Sequence, residues 1–129
     1  MMGTGAVVWG SRLQHHTAMS STESEYVNAS LVGVEVMWMR YMMEELGYDI
    51  SAPSPLFMDS NSTAQVIKNP EHQSSKKHVH RSYNWVRQKV ESKDINIMRV
   101  AGVDNIAEIF TKPLGKIKFT EFRTKLGLL

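Results

Sequence analysis

The sequence predicts an α/β fold in which helices cover a small sheet. A long helical pattern lies between Ser20 and Gly47. Three short apolar segments predict strands, and further helical patterns alternate with them. Because each of these elements has an apolar face to bury, the helices are expected to lie against the sheet. The 129 residues suffice for one domain, residues 1–129, with its own core.

Composition excludes several classes of protein. Apolar residues make up 42% of the chain and charged residues 22%, as in ordinary globular proteins. There is no cysteine, so disulfides and thiolate metal sites are excluded. The apolar segment Ala6 to Trp9 is too short for a signal peptide, and no run approaches the ~20 residues of a membrane span. We expect an intracellular protein, in cytoplasm or nucleus, that is neither secreted nor membrane-bound.

Charge is unevenly distributed along the chain. Residues 1–65 hold two basic and seven acidic side chains, a net of −5, whereas residues 66–129 hold thirteen basic and six acidic ones, a net of +7. This division suits a protein that holds metal on one side and a polyanion on the other, and equally one whose copies pair through opposite charges. Charge alone does not decide between them.

The first half of the chain predicts a strand, the long helix and a second strand. Ala6 to Trp9 forms the first strand, and Gly47 is the expected stop of the long helix. The long helix is apolar on two sides, so it should pack deeply against the sheet. The second strand ends in Asp59, at the position where open α/β sheets form ligand sites, although Asp59 can also cap the helix that follows, up to Asn69. Glu25 likewise has a structural alternative, a capping box with Thr22.

The second half predicts a helix, a strand and two short helices. A helical pattern runs from Lys76 to Lys93, an alternating strand from Ile95 to Val100, and a short helix from Ile106 to Thr111. The last helix has four apolar positions, namely Ile117, Phe119, Phe122 and Leu126. The densest basic cluster opens the Lys76 helix. Its members Lys76, Lys77 and Arg81 are candidates for nucleic-acid binding. The alternative, that they form an ordinary solvated face of the helix, is supported equally well by the sequence.

Four segments in this order carry a resemblance to a known family: SSTESEYVNAS, PLFMDSNSTAQVIKNPEH, KKHVHRSYNWVRQKV and DNIAEIFTKPL. Together they resemble the ribonuclease H domain at the C-terminal end of copia-type retrotransposon polyproteins, over about Val8 to Leu128. The resemblance implies a ribonuclease H-like fold and a two-metal hydrolysis of the RNA strand in RNA/DNA hybrids. It also implies that Glu25, Asp59 and Glu108 are catalytic acids that hold Mg²⁺, a cation that prefers carboxylate oxygens.

The chain departs from the family pattern in three places. The family's first aspartate lies on a strand upstream of Val8, for which this chain has no residues. Glu108 stands where the family usually has Asp, and His80 stands where it usually has Asp. We therefore expect an N-terminally incomplete domain with a truncated mixed sheet and no hydrolysis. Its open strand edges could pair with another copy. The alternative is a non-catalytic module that binds nucleic acid or protein.

Overall fold

The computed structural model describes residues 5–11, 21–60 and 77–128. Its helices and strands follow in the order α1 (Ser21–Glu45), β1 (Ser54–Met58), α2 (Lys77–Glu91), β2 (Ile95–Arg99), two 3₁₀ helices (Gly102–Asp104 and Ile106–Phe110) and α3 (Lys116–Lys125). The described residues therefore combine three α-helices with a two-stranded sheet, in agreement with the α/β prediction. Within those residues, no helix is long and apolar enough to cross a membrane.

The described residues belong to two compact units. The central unit contains residues 21–60 and 77–100, and the terminal unit contains residues 5–11 and 101–128. The elements of the sheet and the two longer helices lie in the central unit. The 3₁₀ helices and α3 lie in the terminal unit.

The sheet of the central unit consists of β1 and β2 in parallel. Ser54 is paired with Ile95 and Met58 with Arg99. The N–H of Val100 continues the ladder by donating to the Met58 carbonyl at 2.9 Å. A parallel pair needs a crossover, and α2 supplies it. Each strand has one neighbour among the described residues, so each leaves one edge open there.

One face of this sheet carries the core of the central unit. Its buried residues come from both helices and β2, and are Tyr26, Ala29, Tyr83, Val86, Ile95 and Ile97. On the opposite face Phe57 is 56% exposed and Met98 41%. Two-fold alternation along each strand produces this division, because successive side chains point to opposite faces. The described sheet is thus covered on one side.

Contacts at the two ends of α1 fix its direction relative to the strands. Arg40, near its end, donates to the Ala52 carbonyl at 2.8 Å and to Ser54 Oγ at 3.0 Å, where β1 begins. Tyr26, near its start, makes an edge-to-face contact with Tyr83 of α2, with centroids 5.5 Å apart. A short turn leads from α2 back into β2. Both helices therefore run antiparallel to the strands and begin at the carboxyl end of the sheet.

α1 and α2 end at residues that differ in how clearly the sequence predicts a helix stop. Gly47 has φ 82°, and its N–H donates to Glu44 O, so the predicted stop is confirmed. α2 ends in the same way at Lys93, which has φ 61° and donates to Val90 O. The predicted pattern also ends at Lys93, although a lysine in this conformation carries a Cβ penalty that glycine avoids and is not a usual stop signal.

Several predicted elements need correction. Residues 6–9 are not a strand, and Val8 and Trp9 are more than half exposed. Gly5 is in a bridge and the N–H of Ala6 donates to the Leu126 carbonyl at 3.1 Å, but one such bridge is too little to make a strand. In α3, Phe122 and Leu126 are buried as expected, but Ile117 is 88% exposed. The short helix expected after Asp59 lies outside the described residues.

Candidate active site

Three segments of the central unit extend to the carboxyl end of the sheet. Glu25 lies in the second turn of α1, Asp59 follows β1 directly, and α2 begins at Lys77. The antiparallel course of both helices brings their first turns to this end. Chain direction thus gathers two of the three predicted acids and the predicted basic segment at one edge, where open α/β sheets form ligand sites.

Glu25 lies beside the aromatic part of the core. Its neighbour Tyr26 is 5% exposed, and its hydroxyl has no hydrogen-bond partner among the described residues. Burial raises the pKa of the Tyr26 phenol, and the nearby Tyr83 and Glu25 raise it further. The Tyr26 hydroxyl is therefore neutral at ordinary pH, while Glu25 is half-buried at the border of the core.

Asp59 has a different environment. It is exposed, and it stands at a bend just beyond the paired residues of β1. Within the described residues it makes no hydrogen bond or ion pair, while the preceding Met58 is held in the ladder by Val100. A fixed backbone and a carboxylate with no partner in the described part of the chain suit a residue that accepts a cation from solvent.

Glu108 is held by two lysines within the terminal unit. Its Oε1 lies 2.7 Å from Lys112 Nζ and its Oε2 lies 3.1 Å from Lys118 Nζ. The side chain is 13% exposed. Hydrogen bonds from Lys112 and Lys118 lower the pKa of the Glu108 carboxyl. A metal ion would have to displace both ammonium groups, so position 108 as arranged does not fit a metal site.

The cation-binding potential of the described residues is correspondingly limited. Within them, no group of three or more His, Asp or Glu side chains is arranged to hold a metal ion. Glu25 and Asp59 belong to segments that reach the same end of the central unit. A pair of carboxylates supports a single, partly hydrated Mg²⁺, which retains several waters as ligands.

The basic residues at this end include one that the sequence interpretation missed. Lys76 lies outside the described residues, Lys77 is the first residue of α2, and Arg81 is exposed. Arg99, also exposed, ends β2 opposite Met58 and so stands next to the Asp59 end of β1. A basic residue at the carboxyl end of an alternating strand is the signal that could have identified it.

Arg40 was also missed, and its role is structural. It is 8% exposed, although it belongs to a helix whose other charged residues are acidic. Besides its bonds at the start of β1, it donates to Ile50 O at 2.6 Å and lies 3.9 Å from Asp94. Arg40 therefore ties together α1, β1 and β2 at the end opposite the candidate site.

The chain is similar to several curated proteins, among them three from retrotransposons. The chain is 30% identical over 128 residues to the retrovirus-related Pol polyprotein from transposon RE2 of Arabidopsis thaliana. It is 30% identical over 124 residues to the Pol polyprotein from transposon TNT 1-94 of Nicotiana tabacum, and 29% identical over 127 residues to that from transposon RE1 of Arabidopsis thaliana.

These alignments cover 99%, 96% and 98% of this chain and 9% of each relative. No protein-family model matches the chain. No solved structure matches it either. The chain is thus similar over nearly its whole length to one segment of retrotransposon Pol polyproteins, which supports a retroelement-derived origin.

Proposed function

We propose that this chain is a ribonuclease H-like module of retroelement origin, and that the isolated 129 residues bind nucleic acid without hydrolysing it. The ancestral reaction is the two-metal hydrolysis of the RNA strand of RNA/DNA hybrids. The observation that carries the proposal is the shared location of Glu25, Asp59 and the start of α2 at the carboxyl end of the sheet. The retrotransposon relatives support the same origin.

The carboxylates fit the metal only in part. Glu25 and Asp59 would hold Mg²⁺ at the carboxyl end of the sheet, while both oxygens of Glu108 are already occupied by lysines. A bound Mg²⁺ activates water and stabilises the leaving oxygen in such reactions. With one acid of the implied set unavailable, we expect no hydrolysis by the isolated chain.

Binding of nucleic acid follows from the charges at the same end. Lys77 and Arg81 begin α2 and Arg99 ends β2, so the basic residues lie on neighbouring elements. Such a surface contacts phosphates and distinguishes sequences little. Recognition of a hybrid would depend on its shape and on its 2′-hydroxyl groups.

Binding is tested by fluorescence anisotropy with a labelled RNA/DNA hybrid at several salt concentrations. We expect log K to fall with log salt by about 0.9 per phosphate contacted. Arg81→Glu and Arg99→Glu should weaken binding, whereas Lys93→Glu, the same charge change at the opposite end of the central unit, should have little effect. Equal losses for all three variants would mean that net charge, and not this surface, governs binding.

Hydrolysis and metal binding are tested separately. The purified chain is incubated with the hybrid and Mg²⁺ or Mn²⁺, and Mn²⁺ binding is followed by electron paramagnetic resonance. We expect no cleavage, and weak Mn²⁺ binding that Asp59→Asn reduces and Glu108→Gln leaves unchanged. Robust cleavage that Asp59→Asn abolishes would show an active nuclease. Loss of Mn²⁺ binding in Glu108→Gln would show that residue 108 is a ligand after all.

A further inference from the structure

A stripe of exposed apolar residues runs along α1, away from its buried side. Leu31 is 61% exposed, Val34 54%, Trp38 57% and Tyr41 55%. We call these four residues the α1 outer stripe. Their spacings alternate between three and four, which is the two-per-heptad pattern of a helix that pairs with another helix. Large side chains gathered in this way, unlike single exposed residues, mark an interaction surface.

The outer stripe is separate from the face that α1 buries in the central unit. The buried positions are Tyr26, Ala29, Gly33, Met37 and Arg40. At about 100° per residue, the stripe is centred roughly a third of a turn away from these positions. α1 therefore has two apolar faces, one packed against the core and one exposed among the described residues.

The charges around the outer stripe define the chemistry of its partner. The exposed charged residues of α1 are Glu35, Glu44 and Glu45. Its single cation, Arg40, is buried and bonded to the start of β1. The exposed surface of α1 is therefore apolar and acidic. Such a surface repels nucleic acid and anionic lipid, and a second copy would oppose like charges across it.

We propose that the α1 outer stripe is a docking surface for a basic amphipathic helix of a partner protein. The apolar side chains of that helix would pack between Leu31, Val34, Trp38 and Tyr41, in the helix-on-helix manner. Its lysines or arginines would lie opposite Glu35, beside the stripe, and Glu45, one turn beyond Tyr41, which selects the partner by charge. This surface is independent of the nucleic-acid site, which lies at the start of α1 and not along its outer side.

The test uses the whole chain and two labelled synthetic helices of about four heptads with leucine at the a and d positions. One has lysine at the e and g positions and the other has glutamate. By fluorescence anisotropy, we expect the lysine helix to bind at least about tenfold more tightly than the glutamate helix. Glu35→Lys should reduce that preference.

Matched substitutions distinguish binding at the α1 outer stripe from nonspecific hydrophobic binding elsewhere on the protein. Val34→Ser, on the stripe, should weaken binding of the lysine helix by about tenfold, and Val32→Ser, 48% exposed but off the stripe, by no more than about twofold. Equal binding of the two helices, or equal effects of the two substitutions, would overturn the proposal. So would a dimer in sedimentation that Val34→Ser dissociates, because a second copy would then be the occupant. Hybrid binding should be the same in both variants, so failure here does not bear on the nucleic-acid site.

Discussion

The indole ring of Trp85 lies where a side chain on Gly33 would be. A Cβ at Gly33 would stand 2.7 Å from Trp85 Cζ3 and 3.4 Å from Ile95 Cδ1. The glycine therefore permits the close approach of α1 to α2 in the central unit, at the cost of helix propensity.

Gly33→Ala should destabilise the protein even though alanine has a higher helix propensity than glycine. Alanine gains about 1 kcal/mol in a helix, but overpacking a core typically costs ~1–3 kcal/mol. We expect a net loss of about 1 kcal/mol in the free energy of unfolding by urea. In a Trp85→Phe background the obstructing ring is shorter, and the same substitution should become stabilising. A loss of equal size in both backgrounds would contradict this explanation.

Tyr26→Phe should stabilise the protein. The Tyr26 hydroxyl is buried and has no partner within residues 5–11, 21–60 and 77–128, and such a group costs ~1–3 kcal/mol. Its removal leaves the edge-to-face contact with Tyr83 in place. We expect a higher melting temperature by calorimetry. The comparison is Tyr83→Phe, which removes a hydroxyl whose interaction with Arg87 helps to raise the pKa of that guanidinium, and which should therefore give no increase in melting temperature. A lower melting temperature for Tyr26→Phe would indicate a hydrogen bond that the described residues do not account for.

Lys93→Gly should also stabilise the protein. Lys93 ends α2 with φ 61°, and a side chain in this conformation costs roughly 1–2 kcal/mol relative to glycine. Lys93→Ala removes the charge but keeps the Cβ, so it should give none of the gain. Equal urea midpoints for the two variants would assign the effect to charge instead of backbone conformation.

The sequence predicted what depends on local pattern. α1, its stop at Gly47, β1 with Asp59 after it, and α2 all follow from apolar periodicity and turn chemistry. Burial of Arg40 did not follow, because its acceptors are carbonyl groups of residues 50 and 52, whose position depends on tertiary packing. The lysine partners of Glu108 were missed for a related reason. Lys118 lies on another helix, ten residues away in the sequence.

Stability should decrease in acid through two carboxylates. Hydrogen bonds from Ser92 and Lys89 lower the pKa of Asp94, and those from Lys112 and Lys118 lower the pKa of Glu108. Each folded-state pKa then lies below its unfolded value of about 4. The unfolded chain binds more protons, so the stabilisation is complete above that value and is lost as pH falls through the folded pKa.

Urea unfolding between about pH 3 and pH 6 measures this dependence. In Asp94→Asn and in Glu108→Gln, the free energy of unfolding should fall less steeply as the pH decreases. Glu121→Gln, which breaks an exposed pair with Lys125, is the control and should leave the slope nearly unchanged. An unaltered slope in Asp94→Asn would mean that this carboxylate has the same pKa folded and unfolded.

The parallel pairing of β1 with β2 has a consequence for synthesis of the protein. Ser54 and Ile95 are register partners about forty residues apart in the chain. At ~5–20 residues per second, the ribosome adds the intervening segment in ~2–8 s. Throughout that interval the nascent Leu56, Phe57 and Met58 lack their β2 partners and are available to chaperones or to other nascent chains. Pro55 lacks an N–H, and it therefore limits incorrect strand pairing until β2 has been synthesised. A change of translation speed across residues 59–95 should therefore affect the yield of folded protein in cells more strongly than an equal change of translation speed before residue 54.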